Sequence, residues 1–426
     1  MQIGNYTLEQ HQVDGVFHLL NVKHGILSYK PGKGKTLPAI YAVNEFCPNG
    51  NVLVISKKKI IQEMWLKDIK PLGLLPAKTT YINTELMNMN DAIFKGLANK
   101  WWDAIIVDEC HLLKNPTSVQ SKRIHKLTKE CPLVIGLSGT PRCNSDEDLY
   151  GIMHSLNCGN WGKVKKTEFE RDWGVRELKQ FGGHTFYKFL GIKPELKEMW
   201  ETGISKYFLS ADYQEGEMPD LVIKEERIPF EKTENYTKAL KGIINLPEHA
   251  STFQKSIALM KAQQVANGFV YIENEQGEIK TIPMPNFVNK KLDKLLSYLD
   301  PKKKIIIVYR FQEDKERLLK TIPSATMDIG EFRKNKNVLV MQAQQGVGVN
   351  LQIADEIWFY TMDSSYINYV QMIHRAWRKG RTDEVYIRIF MYEGSLEEAI
   401  WNTVQKKISI ANAFFDIIEK IRADLS

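Results

Sequence analysis

The sequence lacks any run of eighteen consecutive apolar residues, and it has no charged stretch followed by an apolar leader. A helix that crosses a bilayer needs about 20 such residues, so we expect no membrane span, no membrane partner and no secretion. Cysteine is scarce, with five in the chain and no Cys-x-x-Cys pair. We therefore expect reduced thiols in a cytoplasmic protein, and neither disulfides nor a zinc site.

A strong charge of one sign is also absent, because 58 Lys and Arg against 51 Asp and Glu leave a net charge of +7. This mild excess permits a polyanionic partner without demonstrating one, since local clustering matters more than the sum. The hydrophobic fraction of 43% and charged fraction of 26% are typical of a globular protein. At 426 residues the chain is too long for one compact core, which predicts two domains.

A glycine-rich loop that opens a helix is predicted at residues 27–36, where the chain reads LSYKPGKGKT. Glycines let successive backbone N–H groups point at a polyphosphate, while Lys35 supplies a positive charge and the Thr36 hydroxyl can ligate Mg²⁺. The pattern G-x-x-x-x-G-K-[ST] wants glycine at position 29, where this chain has Tyr29. We predict a nucleotide site formed by Gly32, Lys33, Gly34, Lys35 and Thr36; the alternative is a lysine-rich turn.

A pair of acids favours the nucleotide site over that alternative. The apolar run Ile105–Val107 ends in Asp108 and Glu109, which is typical of a buried parallel strand that delivers carboxylates to the edge of a sheet. We predict that Asp108 holds Mg²⁺ and that Glu109 orients or deprotonates the attacking water. Phosphoryl transfer needs charge neutralisation and an aligned nucleophile, so these groups are sufficient for ATP hydrolysis.

Alternating strand and helix signals predict an α/β fold. Strands are predicted at 51–56, 105–109 and 133–137 in the first half, and a second series runs from 304–310 to 385–390. Such alternation predicts parallel sheets with helices on both faces and a ligand site at the carboxyl ends of the strands. We expect one lobe at 1–217 with a helical insertion at about 160–217. A second lobe is expected at 218–426, with a helical insertion at about 232–285 and a C-terminal helix.

Two further groups of residues carry an ambiguous signal. Gln12 lies at the start of a helical pattern, where its amide could read adenine or simply face solvent. In the second half, Gln371, His374, Arg375 and Arg378 are spaced i, i+3, i+4 and i+7, which predicts a single helix face. The two arginines could be solvated, or they could stabilise the charge that develops on a transferred phosphate.

Taken together, these segments resemble helicase superfamily two, and within it the Snf-like (DExH-type) branch of double-strand DNA translocases. The resemblance rests on six segments in order: Gln12, Gly34 to Thr36, Asp108 to His111, Ser138 to Pro141, Gly346 to Leu351, and Gln371 to Arg378. The sequence departs from the family pattern at three places. Tyr29 replaces a small residue of the phosphate loop, Arg381 stands in place of the usual glutamine, and residues 209–213 do not form an arginine-rich brace. The size and the lack of appended domains are similar to those of small phage and bacterial enzymes that act in branch migration or replication.

The resemblance implies two RecA-like lobes that bind ATP with Mg²⁺. It implies that Lys35, Thr36, Asp108 and Glu109 act from the first lobe, and Arg375 and Arg378 from the second. Gln12 and Gly348 would also contact ATP, while Ser138, Thr140 and Gln371 would couple ATP to movement. Contacts to the nucleic-acid backbone, largely independent of sequence, are expected from Ser56, Lys57, Thr84, Arg310 and Asn350.

Three functions remain open at this point. The first is an ATP-driven helicase or translocase on duplex or branched DNA, with a place in replication, recombination or repair. The second is an RNA-directed helicase of the same superfamily. The third is a nucleotide-gated DNA-binding subunit that serves a protein partner such as a nuclease.

Overall fold

The computed structural model describes residues 1–139, 145–181, 184–214, 216–244, 252–273, 276, 278–346 and 351–409. The chain forms two compact units. The first includes Met1–Lys179 and Phe186–Glu215, and the second includes Gly216–Lys406.

The first unit contains a six-stranded sheet in which all neighbouring strands are parallel. Three of its inner strands are buried along their whole length, because aliphatic side chains project from both faces and helices cover both. From edge to edge the strands are Phe208–Ala211, His24–Tyr29, Leu133–Leu137, Ala104–Asp108, Val52–Ser56 and Thr79–Asn83.

Helices flank this sheet, and one of them has unusual geometry. The short α-helix Lys58–Ile60 continues as a nine-residue π-helix, Ile61–Ile69. A π-helix has wider turns than an α-helix and occurs mostly as single turns, often at functional sites. The α-helices of this unit are Gln10–Val22, Thr36–Phe46, Lys58–Ile60, Thr84–Met89, Asp91–Ala98, Val119–Thr128, Asp146–Ser155, Lys166–Asp172 and Lys197–Tyr207.

The predicted helical insertion at about 160–217 is only partly helical. Between the helices Lys166–Asp172 and Lys197–Tyr207, the strands Gly174–Phe181 and His184–Ile192 pair as a two-stranded sheet. Aromatic and β-branched residues make up five of the nine positions of the second strand, and such residues favour extended backbone over helix. At the base of the insertion the rings of Trp161, Phe169, Trp173 and Trp200 pack on one another.

The second unit also contains a six-stranded parallel sheet. Its strands from edge to edge are Leu221–Ile228, Val385–Tyr392, Glu356–Phe359, Ile305–Tyr309, Val338–Gln342 and Ala325–Thr326. The helices are Glu234–Ile244, Thr252–Ala266, Lys290–Leu296, Gln312–Thr321, Ile329–Lys334, Tyr366–Ala376 and residues 396–409.

The predicted helical insertion of the second unit likewise ends in strands, because Phe269–Glu273 and Ile279–Pro283 pair antiparallel. Each unit is therefore a parallel sheet between helices, which confirms the predicted α/β class with two RecA-like lobes. Within the described residues, no helix combines the length and the apolarity that a membrane crossing requires.

The start of the last helix is fixed by side-chain hydrogen bonds. The Ser395 Oγ accepts from the backbone N–H of Glu397 at 3.1 Å, and a carboxylate oxygen of Glu398 accepts from Gly394 at 2.9 Å. Ser395 and Glu398 have the spacing of a capping box, although each bonds a neighbour of the usual partner. Next to the cap, the buried Glu397 carboxylate accepts from Lys291 at 2.6 Å, so this helix is anchored by a buried ion pair.

Candidate active site

The predicted phosphate loop lies between the inner strand His24–Tyr29 and the helix Thr36–Phe46. Gly32 and Gly34 have φ angles of 88° and 68°, a region that favours glycine over residues with a Cβ. The helix begins directly after Lys35, and no side chain caps it. Its first N–H groups are therefore available to an anion, and the helix dipole adds positive potential at the same point.

Side chains of the first helix hold the second half of this loop. The Gln12 Nε2 donates to the Gly34 carbonyl at 3.2 Å, and the His11 Nε2 lies 2.9 Å from the Lys33 carbonyl. A Cβ at Gly34 would lie only 2.3 Å from the Gln12 amide nitrogen, so the Gln12 side chain would have to move and give up this contact. Gln12 is thus buried against the phosphate loop, as a residue of the nucleotide site should be, although its contact with adenine stays a prediction.

The departure at Tyr29 is explained by packing behind the loop. The Tyr29 side chain is fully buried, and its hydroxyl donates to the His11 carbonyl at 2.5 Å. Gly15, on the facing helix, leaves the space for this hydroxyl, since a Cβ there would lie 2.4 Å from it. Tyr29 therefore ties the loop's strand to the helix that carries Gln12.

Gly15→Ala tests this packing. Alanine normally stabilises a helix interior, by up to about 1 kcal/mol relative to glycine. At Gly15 we expect the opposite, a loss of about 1–3 kcal/mol in the free energy of unfolding, because the new methyl group overlaps the Tyr29 hydroxyl. Urea unfolding of the variant and the wild type measures the difference.

The matched control is Gly96→Ala, in the interior of the helix Asp91–Ala98, where a Cβ would meet no atom within 4 Å. This variant should be as stable as the wild type or more so. Adding Tyr29→Phe to Gly15→Ala should restore part of the stability. Equal stability of the two alanine variants would contradict the packing account.

The two acids lie at the carboxyl end of the strand Ala104–Asp108 in the same sheet. Asp108 is the last residue of its strand, and both of its carboxylate oxygens are bonded: one accepts from the backbone of Glu109 at 2.9 Å and the other from the Trp65 indole at 3.1 Å. Glu109 has a φ of 55°, a left-handed conformation that is unfavourable for a residue with a side chain. Such strain is found mostly at functional sites, where the surrounding structure maintains it.

The pKa values of the two acids are shifted in opposite directions. Burial, followed by the negative charge of Glu109, raises the pKa of Asp108. Burial would also raise the pKa of Glu109, but the hydrogen bond and the charge of His111, together with Lys35 and Lys57, lower it overall. Lys35 stabilises both carboxylates, so the structure brings the lysine of the phosphate loop close to the acid pair.

His111 links Glu109 to the predicted coupling residue Ser138. Its Nδ1 lies 3.1 Å from the Glu109 carboxylate and 3.2 Å from the Ser138 hydroxyl. The Nε2 of this buried ring has no hydrogen-bond partner among the described residues. The structure therefore brings Ser138 to the acid pair through His111.

Sequence reasoning did not select Trp65 or His111 as site residues. Trp65 belonged to a helical apolar pattern, which indicates core packing but not a hydrogen bond to a carboxylate. His111 stood within the motif Asp108 to His111, and its place in that run was the signal that could have found it.

The donor set fits a nucleotide with Mg²⁺. No group of three His, Cys, Asp or Glu side chains that could hold a metal occurs in the described parts of the chain. Mg²⁺ does not need one, because it is commonly held by one or two protein oxygens, waters and the phosphates of its substrate. Thr36, at the first position of its helix, and Asp108 would supply the protein oxygens.

The predicted arginines lie in the second unit, and one of them is not on the predicted helix face. The helix Tyr366–Ala376 carries Gln371, His374 and Arg375, but it ends two residues before Arg378. Trp377, the next residue, has an extended backbone, and its indole donates to the Pro219 carbonyl at 2.6 Å. Arg378 is half-buried, and its Nε donates back to the His374 carbonyl at 2.8 Å.

The predicted nucleic-acid contacts differ in their exposure. Ser56 is fully buried and Thr84 nearly so, which leaves their hydroxyls little access to a nucleic acid. Lys57 is half-exposed. Arg310 is half-buried, lines a pocket of the second unit with Asp363 and donates to Gln263 at 2.5 Å. The predicted residues Thr140, Gly348 and Asn350 lie outside the described part of the chain.

Comparison with known proteins finds similarity to one family. A model of the SNF2-related domain matches residues 78–190. The chain is 25% identical to the CHD3-type chromatin-remodeling factor PICKLE of Arabidopsis thaliana, over 87% of this chain and 27% of PICKLE. It is 19% identical to the uncharacterized ATP-dependent helicase YqhH of Bacillus subtilis, over 100% of this chain and 83% of that protein.

A solved structure, the Sulfolobus solfataricus SWI2/SNF2 ATPase core in complex with dsDNA, aligns with 98% of this chain and 96% of that one, at 19% identity and a TM-score of 0.42. The chain spans about a quarter of the length of PICKLE. The SNF2-related match includes the acid pair and Ser138, while the phosphate loop precedes the matched range and the segment Gln371 to Arg378 follows it. The comparisons therefore show that the chain is similar to proteins of the SNF2 family of helicase superfamily two.

Proposed function

We propose that the chain is an ATP-driven motor that translocates on double-stranded or branched DNA. One observation carries the ATPase part: Lys35, where the glycine-rich loop meets the helix Thr36–Phe46, lies close enough to Asp108 and Glu109 for its positive charge to act on both carboxylates. A cation that faces polyphosphate, beside two carboxylates for a metal and a water, is the arrangement that phosphoryl transfer requires.

Each residue has a proposed task. The N–H groups from Gly32 to Thr36 and the Lys35 ammonium bind the triphosphate, and Thr36 and Asp108 hold Mg²⁺, which supplies charge neutralisation when it is bound. Glu109 remains ionised at neutral pH because its pKa is lowered, so it can accept a proton from the attacking water. His111 holds the Glu109 carboxylate in place.

DNA is the proposed track for two reasons. PICKLE, which aligns with 87% of this chain, is a chromatin-remodeling factor, and chromatin is packaged DNA. The chain's net charge of +7 is compatible with a polyanion. We propose that the motor remodels forks or other branched DNA in replication, recombination or repair, and that ATP hydrolysis is coupled to closure of the two units.

The steady-state ATPase rate tests this proposal when it is measured with single-stranded, duplex, forked and Holliday-junction DNA, and with RNA. We expect duplex or branched DNA to stimulate the rate most, and the stimulation to weaken steeply as salt rises. Lys35→Ala should abolish it, since that charge binds the phosphates. Stronger stimulation by RNA, no stimulation at all, or normal turnover of Lys35→Ala would each overturn the proposal.

A further inference from the structure

The chain leaves the first unit beside the phosphate loop. The edge strand Phe208–Ala211 pairs in parallel with His24–Tyr29, so both strands end at the same edge of the sheet. The ladder continues one step further, where the Lys30 backbone N–H donates to the Ala211 carbonyl at 3.0 Å. Asp212 and Tyr213 follow at once, and the second unit begins at Gly216. We refer to Asp212 and Tyr213 as the exit segment.

Three side-chain contacts fasten the exit segment to the first half of the phosphate loop. The Lys30 ammonium forms an ion pair with the Asp212 carboxylate at 2.6 Å. The same ammonium lies 5.7 Å from the centre of the Tyr213 ring. The Tyr213 hydroxyl donates to the Pro31 carbonyl. These contacts hold the first half of the loop, whereas Gln12 and His11 hold its second half.

Pro31 also contacts the segment that contains Ser138. A Cβ added to Gly139 would lie 3.1 Å from the Pro31 ring, so this ring packs close to the Gly139 backbone. Immediately after Pro31, Gly32 takes its left-handed conformation, and the Lys33 N–H closes the turn on the Lys30 carbonyl at 3.1 Å. A shift of this turn on nucleotide binding would therefore move the Pro31 carbonyl, which is the acceptor for Tyr213.

We propose that Asp212 and Tyr213 are positioning residues that transmit the state of the phosphate loop to the chain entering the second unit. The inference rests on the proposed ATP site. The exit segment contacts the loop through Lys30 and Pro31, which precede the residues assigned to the triphosphate, so it senses the loop without contacting the nucleotide. Removing its contacts should weaken coupling between ATP and DNA while nucleotide affinity is retained.

Tyr213→Phe is the sharpest test, because it removes one hydroxyl and keeps the ring beside Lys30. We expect its affinity for a fluorescent ATP analogue to stay within about threefold of wild type, while the maximal DNA-stimulated kcat falls at least about fivefold. Amide hydrogen exchange supplies a second readout. In the wild type the analogue should slow exchange at residues 211–214, and this response should be reduced in Tyr213→Phe. Tyr187→Phe, on the exposed hairpin, is the matched control and should behave as wild type.

The ion pair allows a rescue test. Asp212→Lys should lower the DNA-stimulated kcat, and combining it with Lys30→Glu should recover part of the loss by restoring an ion pair of reversed sign. Wild-type coupling in Tyr213→Phe, or loss of nucleotide affinity to the same extent as loss of kcat, would overturn the inference. If the wild type itself binds no ATP, the proposed function fails first, which distinguishes the two failures.

Discussion

Glu109→Gln is expected to bind ATP with near wild-type affinity and to lose DNA-stimulated hydrolysis by roughly 10²–10⁴ in kcat. Glutamine has the size of glutamate and can keep the hydrogen bond to His111, so the left-handed backbone at this position should be retained. It cannot accept a proton from water at neutral pH, which removes the proposed general base. Titration with a fluorescent ATP analogue and steady-state turnover at saturating DNA measure the two quantities separately.

Glu130→Gln is the matched control, because Glu130 is exposed and lies in the turn before the strand Leu133–Leu137. It makes the same chemical change in the same unit and should leave both quantities unchanged. If Glu109→Gln hydrolyses ATP within about twofold of wild type, another group activates the water. If it no longer binds ATP, Glu109 has a structural role.

Arg378→Ala is expected to reduce DNA-stimulated kcat by about 10³–10⁵ with nucleotide affinity close to wild type. The physical reason is that a guanidinium group stabilises negative charge most where that charge increases in the transition state. Arg378 lies two residues beyond the end of its helix, where its Nε donates to the His374 carbonyl at 2.8 Å. Single-turnover hydrolysis with saturating DNA is the measurement.

Two variants make the result specific. Arg378→Lys keeps the positive charge but loses the planar fork, and it should recover only a small part of the rate. Arg333→Ala, exposed at the end of the helix Ile329–Lys334, should match wild type. An unchanged rate in Arg378→Ala would mean that this arginine does not act on the reaction.

The sequence was sufficient for the sheets and the phosphate loop, for a simple physical reason. Runs such as Val52–Ser56 and Leu133–Leu137 are continuous, aliphatic and short, which only a strand buried on both faces explains. Since parallel strands end at one edge, placing Lys35 and Asp108 after separate strands also places them near each other. Local pattern and global topology agree at these positions.

Contacts between distant segments could not be predicted in the same way. Nothing in the spacing of Trp65 relates it to Asp108, because their hydrogen bond depends on the π-helix. Tyr29 looked like a defect in the loop until the structure placed Gly15 opposite its hydroxyl. Likewise, a period of 3.6 residues extended the predicted helix of Gln371 to Arg378, whereas the helix ends at Ala376 and the Trp377 indole bonds the distant Pro219 carbonyl.

The π-helix Ile61–Ile69 determines which side chain faces Asp108. Each residue of an α-helix advances about 100° around the axis. A residue of a π-helix advances less, so the same residues wound as an α-helix would rotate Trp65 away from Asp108. Its neighbours Met64 and Leu66 cannot donate a hydrogen bond, so the carboxylate would lose its indole partner. The bond from Trp65 to Asp108 therefore depends on the wide turns, and an α-helical version of this segment would need a different donor for Asp108.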